Sequence, residues 1–108
     1  MTASIAIGFL VFPGLTQLDL TGPYEVLARV RGSAIHLLWK TLEPVVSDTG
    51  LSLLPTTTFA ACPPLDVVCV PGGPGQIALM DDAEVLAFLA RVAPDCRYVT
   101  SVCTGSLV

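Results

Sequence analysis

Charge is scarce in this sequence. Across 108 residues Lys and Arg number 5, Asp and Glu 9, and His 1, so charged residues make up 13% and the formal net charge is −4. The five cations are spread singly, with no basic stripe to follow a phosphate backbone, and the segment is therefore not expected to bind nucleic acid. Long apolar runs are also missing: none approaches the roughly eighteen residues that a membrane-spanning helix needs. The opening Met1-Thr2-Ala3-Ser4-Ile5 lacks the positive region of a secretory signal. The expectation is a cytoplasmic protein that makes no contact with a membrane. The four cysteines, at 62, 69, 96 and 103, contain no C-x-x-C pair, and the single histidine is not at metal-ligand spacing from any of them. No zinc site is expected.

What the chain has in excess is apolar surface, at 53% of residues and a mean hydropathy of +0.75. One small domain has little interior in which to hide so much of it, which implies a partner surface. The final residues, Cys103-Thr-Gly-Ser-Leu-Val108, read as entry into a helix with room for about one turn, less than a helix needs to offset its nucleation cost. Residues 1–108 are therefore expected to be a single, incomplete domain. A C-terminal half or a companion chain would complete it, and alone it would be insoluble, associated or dependent on such a fragment.

The pattern along the chain alternates strand and helix. Residues 4–12 form a nearly unbroken apolar run that Pro13-Gly14 ends, as in a strand buried on both faces. Thr21-Gly22-Pro23 reads as a helix start, with Val26, Leu27 and Val30 at helical spacing. A second strand covers 35–40, and 44–55 reads as two short strands about Asp48-Thr49-Gly50. Residues 56–64 read as loop. A buried strand over 65–70, holding Cys69 in its core, opens into Pro71-Gly72-Gly73-Pro74-Gly75. An amphipathic helix spans 81–92 until Pro94 stops it, and a closing strand covers 98–102. This order gives an α/β sandwich with a mainly parallel sheet, in which ligands bind beyond the carboxyl ends of strands.

Three features fall just beyond such ends. Cys103 sits where strand meets helix N-terminus, a position that favours the thiolate, and Cys-Thr-Gly turns as sharply as a nucleophile elbow. Asp19, between Leu18 and Leu20 ahead of the first helix, reads either as a turn residue or as a partly desolvated carboxyl that can pass a proton. Gly72 and Gly73 can bring main-chain N–H groups close to a ligand, although neither phosphate-loop pattern is present. His36 is expected in a surface or edge role, and Cys62 and Cys96 are expected to be incidental.

With those segments assembled, the chain resembles the DJ-1/PfpI superfamily. The likeness lies in Ile7-Gly-Phe-Leu-Val-Phe-Pro13, Gln17-Leu-Asp-Leu-Thr-Gly-Pro-Tyr-Glu-Val-Leu27, His36-Leu-Leu-Trp-Lys40, Pro63-Pro-Leu-Asp-Val-Val-Cys-Val-Pro-Gly-Gly73 and Tyr98-Val-Thr-Ser-Val-Cys-Thr-Gly-Ser-Leu107. The resemblance implies a flavodoxin-like three-layer sandwich, of which this chain would be the N-terminal half, and a homodimer. Within the superfamily it leans toward the branch that hydrates isonitriles to N-substituted formamides. Carried over residue by residue, it makes Cys103 the nucleophile, Asp19 its carboxyl partner, and Thr104 a neighbour whose hydroxyl bonds the reactants. Gly72 and Gly73 would bind substrate, with the N–H groups of Gly73 and Thr104 stabilising negative charge beside the sulfur. The resemblance implies no metal and no organic cofactor. Two other readings remain open: the ligand-sensing domain of an AraC-type regulator, and a glyoxalase or redox-stress protein.

Overall fold

The computed structural model describes residues 5–101. Its framework is a five-stranded sheet with β1 (Ile5–Leu10) at the centre, β2 (Ser33–Trp39) and β5 (Thr57–Thr58) to one side, and β6 (Val67–Val70) and β7 (Tyr98–Ser101) to the other. Every pairing in this sheet is parallel. A separate antiparallel hairpin joins β3 (Val45–Val46) to β4 (Ser52–Leu53), as the turn chemistry of Asp48-Thr49-Gly50 leads one to expect. Gly50 supplies the positive φ of 97°.

Three helices flank the sheet: α1 (Gln17–Leu27), α2 (Gln76–Met80) and α3 (Ala83–Val92), which a 3₁₀ turn at Ala93–Asp95 closes. The crossover from β1 to β2 runs one way along the sheet and that from β6 to β7 the other. Right-handed connections therefore put α1 on one face and α3 on the opposite face. The result is the flavodoxin-like α/β architecture that the alternation implies.

The core follows from the apolar run. Phe9, Leu10, Val11 and Phe12 are fully buried, along with Leu15, Leu38 and Val68. Tyr24 of α1 meets Phe9 with ring centroids 6.0 Å apart. On the other face Phe88 of α3 stacks on Phe59 at 4.2 Å, and Trp39 meets Phe59 edge-on at 5.9 Å. Cys69 is buried, as its apolar neighbours suggest.

The structure differs from the sequence reading in four places. Helix α1 begins at Gln17, four residues before Thr21, and carries Pro23 inside it. A helix can pass through Gly22-Pro23 because the residue before proline resists α geometry largely through its Cβ, which Gly22 lacks. Asp19 therefore stands in the first turn of α1, not ahead of it. Of the residues at helical spacing, Val26 and Val30 are 67% and 41% exposed, and Val30 lies beyond the end of the helix at Leu27. Within the expected 56–64 loop, β5 pairs Thr57 with Leu38 and Thr58 with Trp39. Two residues are too few to show a period. Helix α2 was likewise hidden, because five residues cannot display a 3.6-residue repeat.

Candidate functional site

The turn that leaves β1 is tied down from two directions. Gly14 turns the chain at φ 79°, and Leu15 N–H donates to Phe12 O at 3.2 Å while its side chain is buried. The β3–β4 hairpin grips one side: Gly14 N–H donates to Val46 O at 2.9 Å and Asp48 N–H to Leu15 O at 2.9 Å. Thr16 Oγ1 adds a bond to Asp48 Oδ2 at 3.3 Å.

The glycine-rich turn after β6 grips the other side. Thr16 N–H donates to Gly72 O at 2.9 Å and Gly75 N–H to Gly14 O at 3.0 Å, while Gln76 N–H closes the glycine turn on its own Gly73 O at 3.0 Å. This contact needs bare backbone. A Cβ on Gly73, at φ 133°, would lie 2.4 Å from Thr16 N, and one on Gly75 would lie 1.9 Å from Pro13 O. Two loops that the sequence separates by about sixty residues are thus stitched together at the carboxyl ends of adjacent strands, where parallel sheets receive ligands.

Asp19 follows directly from that stitch. Its N–H donates to Thr16 O at 3.0 Å, so its carboxylate belongs to the first helical turn, against the positive end of α1. It is half-buried, and none of the described residues hydrogen-bonds its side chain. Pro23, four residues on, has no N–H to donate to the Asp19 carbonyl. Strand β7 runs beside β6 with Ser101 opposite Val70, one residue before Pro71 and the glycine turn. Cys103 and Thr104 lie outside the described residues.

The three described thiols are poor nucleophiles. Burial pushes Cys62, Cys69 and Cys96 above the ordinary thiol value. For Cys62 the nearby Arg91 offsets part of the rise, and for Cys96 the carboxylates of Asp66 and Asp95 add to it. His36 sits within β2, half-buried, with Nδ1 3.2 Å from Thr57 Oγ1, and belongs to the strand pairing, not to the loops at the sheet's carboxyl edge.

Sequence reasoning missed Gln76. It is buried at the start of α2, directly behind the glycine turn, and its Oε1 has no hydrogen-bond partner among the described residues. Buried amide oxygens are rarely left so. No signal in the sequence marked it, because its burial depends on how the two loops dock. Among the described residues no group of His, Cys, Asp and Glu could hold a metal ion, and no helix is long and apolar enough to cross a membrane.

A parallel α/β domain with stitched loops and an acidic helix start at its strand ends is a framework for binding small molecules. The chain belongs to the DJ-1/PfpI family, whose model matches residues 5–108. It is 60% identical over 105 residues to a protein named isonitrile hydratase from Pseudomonas putida, a match covering 97% of this chain and 46% of that protein. The crystal structure of a ThiJ/PfpI family protein from Pseudomonas syringae superposes with a TM-score of 0.95 at 44% identity, covering 98% of this chain and 45% of that one. Drosophila melanogaster DJ-1beta shares the fold, with a TM-score of 0.82 at 23% identity over 96% of this chain and 57% of that chain. The chain thus spans less than half the length of the first two relatives.

Proposed function

We propose that this chain carries the nucleophile and the carboxyl of an enzyme that hydrates isonitriles to N-substituted formamides. The observation that carries the reading is the 60% identity, over 97% of the chain, to a protein of that name. The stitching of the Asp19 turn to the Gly72-Gly73 turn supports it, as does the raising of the other three thiols, which leaves Cys103 as the cysteine best suited to attack.

In this mechanism the Cys103 thiolate attacks the terminal carbon of R–N≡C, and Asp19 gives that carbon its proton, leaving a thioimidate, Cys–S–CH=N–R. Asp19, now ionised, takes a proton from water as the water oxygen adds to the same carbon and passes that proton to the nitrogen, giving Cys–S–CH(OH)–NH–R. Collapse of this adduct forms the C=O bond as the hydroxyl proton passes to Asp19, expels the thiolate and releases R–NH–CHO, so that both groups return to their starting states. The sum is one isonitrile plus one water. Main-chain N–H groups of Gly73 and Thr104 stabilise the negative charge that develops beside the sulfur, and the Thr104 hydroxyl bonds the reactants. All covalent chemistry passes through the sulfur and the carboxyl, and the reading includes no cofactor. The enzyme is proposed to act as a cytoplasmic homodimer.

The test is to follow formamide production from cyclohexyl isonitrile by NMR, with this chain co-expressed with the part of the Pseudomonas putida relative that has no counterpart in it. Formamide should form. Cys103→Ala should abolish turnover, and Asp19→Asn should slow it by about 100-fold or more while leaving the fold intact. Turnover that survives Cys103→Ala would remove the mechanism, and a complex that makes no formamide would remove the substrate.

A further inference from the structure

Thr16-Gln17-Leu18-Asp19, at the start of α1, has the spacing of a capping box. In that motif the hydroxyl of the N-cap residue accepts from the N–H of the third helical residue, whose acidic side chain reaches back to the N–H of the N-cap. Asp19 is the third residue of α1 and Thr16 its N-cap, with φ −84° and ψ 114°, the extended geometry from which a cap closes. Yet the box is open on both sides. The Thr16 hydroxyl caps no N–H of the helix and donates instead to Asp48 Oδ2 at 3.3 Å. Thr16 N–H goes to Gly72 O at 2.9 Å, and Asp19 N–H falls back on the Thr16 carbonyl at 3.0 Å. Helix α3 shows what the same chain does elsewhere: Asp82, its N-cap, accepts from the N–H groups of Glu84 and Val85. The open cap on α1 forgoes that stabilisation, and it leaves an Asp19 side chain that no described residue hydrogen-bonds.

We infer that Asp48 is a positioning residue, which holds the Thr16 hydroxyl away from Asp19 and so keeps the Asp19 carboxyl open to substrate and water. The inference rests on the isonitrile reading for the role of that carboxyl. The β3–β4 turn fixes Asp48 for this task. Its own N–H donates to Leu15 O at 2.9 Å. Its neighbour Ser47 is buried and is locked to Leu51, donating to Leu51 O at 2.8 Å and accepting from Leu51 N–H at 3.0 Å through Oγ. The Asp48 carboxylate is therefore carried to the N-cap on a rigid turn. Although 3.3 Å is long for such a bond, its acceptor is ionised, and a bond to a charged acceptor is about twice as strong as one between neutral groups. Without that acceptor the hydroxyl is one χ1 rotation from closing the box. Its oxygen then accepts from Asp19 N–H, and its proton is free for the Asp19 carboxylate. A hydroxyl bonded there occupies the oxygen that must give a proton to the isonitrile carbon and take one from water. The glycine turn guards the other side, because Gly72 O holds the N–H to which the carboxylate would otherwise reach back.

The test uses the co-expressed complex of the formamide assay, with kcat and KM measured separately. Asp48 is exposed, so its replacement leaves the core untouched. Asp48→Ala should lower kcat by about tenfold and leave KM within about twofold, because the captured carboxyl is misdirected in the chemical step. Its urea midpoint should hold, since the cap gained replaces the bond lost. Asp48→Asn keeps an acceptor for the hydroxyl and should stay within about threefold of the parent kcat. Adding Thr16→Val to Asp48→Ala leaves no hydroxyl to close the box, and kcat should recover to within about threefold of the parent. Hydrogen exchange reads the same geometry without activity: the Asp19 amide should slow by about threefold or more in Asp48→Ala and return to the parent rate when Thr16→Val is added. The inference is overturned by an Asp48→Ala complex with parental kcat, by a loss that Thr16→Val does not restore, or by an Asp19 amide that exchanges alike in all three proteins. A parent complex that makes no formamide overturns the isonitrile reading alone, and the exchange comparison, made on this chain itself, then decides whether Asp48 holds the box open.

Discussion

At the scale of single residues, glycines hold the candidate site together, and they do so for different reasons. Gly73 combines a backbone region closed to side chains with a close approach to Thr16 N, whereas Gly50 has φ 97° but nothing within 4 Å of its missing Cβ. Gly73→Ala should therefore cost at least about 2 kcal/mol, while Gly50→Ala costs about 1 kcal/mol from strain alone. Urea midpoints of the two variants check this, and equal losses would show that the loops are not in contact. Thiol chemistry offers a second residue-level test. Burial raises Cys62, Cys69 and Cys96, so in the co-expressed complex iodoacetamide near neutral pH should label Cys103 first. Peptide mapping that found Cys62 or Cys96 labelled ahead of it would count against the assigned nucleophile.

At the scale of elements, α3 shows how an acidic first turn becomes structure. Asp82 caps the helix, accepting from Glu84 N–H at 3.1 Å and Val85 N–H at 3.2 Å through Oδ1, while Oδ2 accepts from Lys40 Nζ at 2.5 Å at the end of β2. The Lys40 bond, helped by the two backbone bonds, holds this carboxyl below its ordinary value. A depressed carboxyl contributes stability that is fully present above its unfolded value, about pH 4, and is lost as pH falls through the lower folded value. Asp82→Ala should cost about 1 to 2 kcal/mol at pH 7. Asp82→Asn should cost less, since it keeps the cap, and should flatten the fall in stability below pH 4. A charge pair this accessible adds less than about 1 kcal/mol. Elements of this kind were legible in the sequence: β1, β2, β6, β7, the hairpin and α3 all have a clear period or a clear turn. Elements of two to five residues, β5 and α2, were not. The start of α1 was misread because Gly-Pro looks like a boundary and Leu18 and Val26, exposed on its surface, blur the stripe. The two loops of the site were each legible as turns. Their docking was not, because it depends on backbone bonds between Gly14 and Gly75 and between Thr16 and Gly72 that no local pattern announces.

At the scale of the whole molecule, an accessible area of 5944 Å² is close to the roughly 5,700 Å² of a folded monomer of this mass. The surface is ordinary in extent. What is unusual is where its apolar part lies, with Tyr98 and Val99 about 60% exposed on a strand whose outer edge pairs with none of the described strands. The sheet is therefore graded from centre to edge. Strand β1 pairs on both sides, and its neighbours leave Phe9 and Leu10 no contact with water. Strand β7 has a neighbour on one side and is exposed on both faces. Amides open to exchange either locally or by global unfolding, according to the packing above them. In the isolated chain Phe9 and Leu10 should exchange only by global unfolding, whereas the amides of β7 should exchange by local opening, at least about tenfold faster. Raising the urea concentration should accelerate the first group and leave the second nearly unchanged until the main transition, since local opening of an edge strand exposes little new surface. If β7 were as protected as β1, its outer edge would have to be paired with a strand that is not among the described residues.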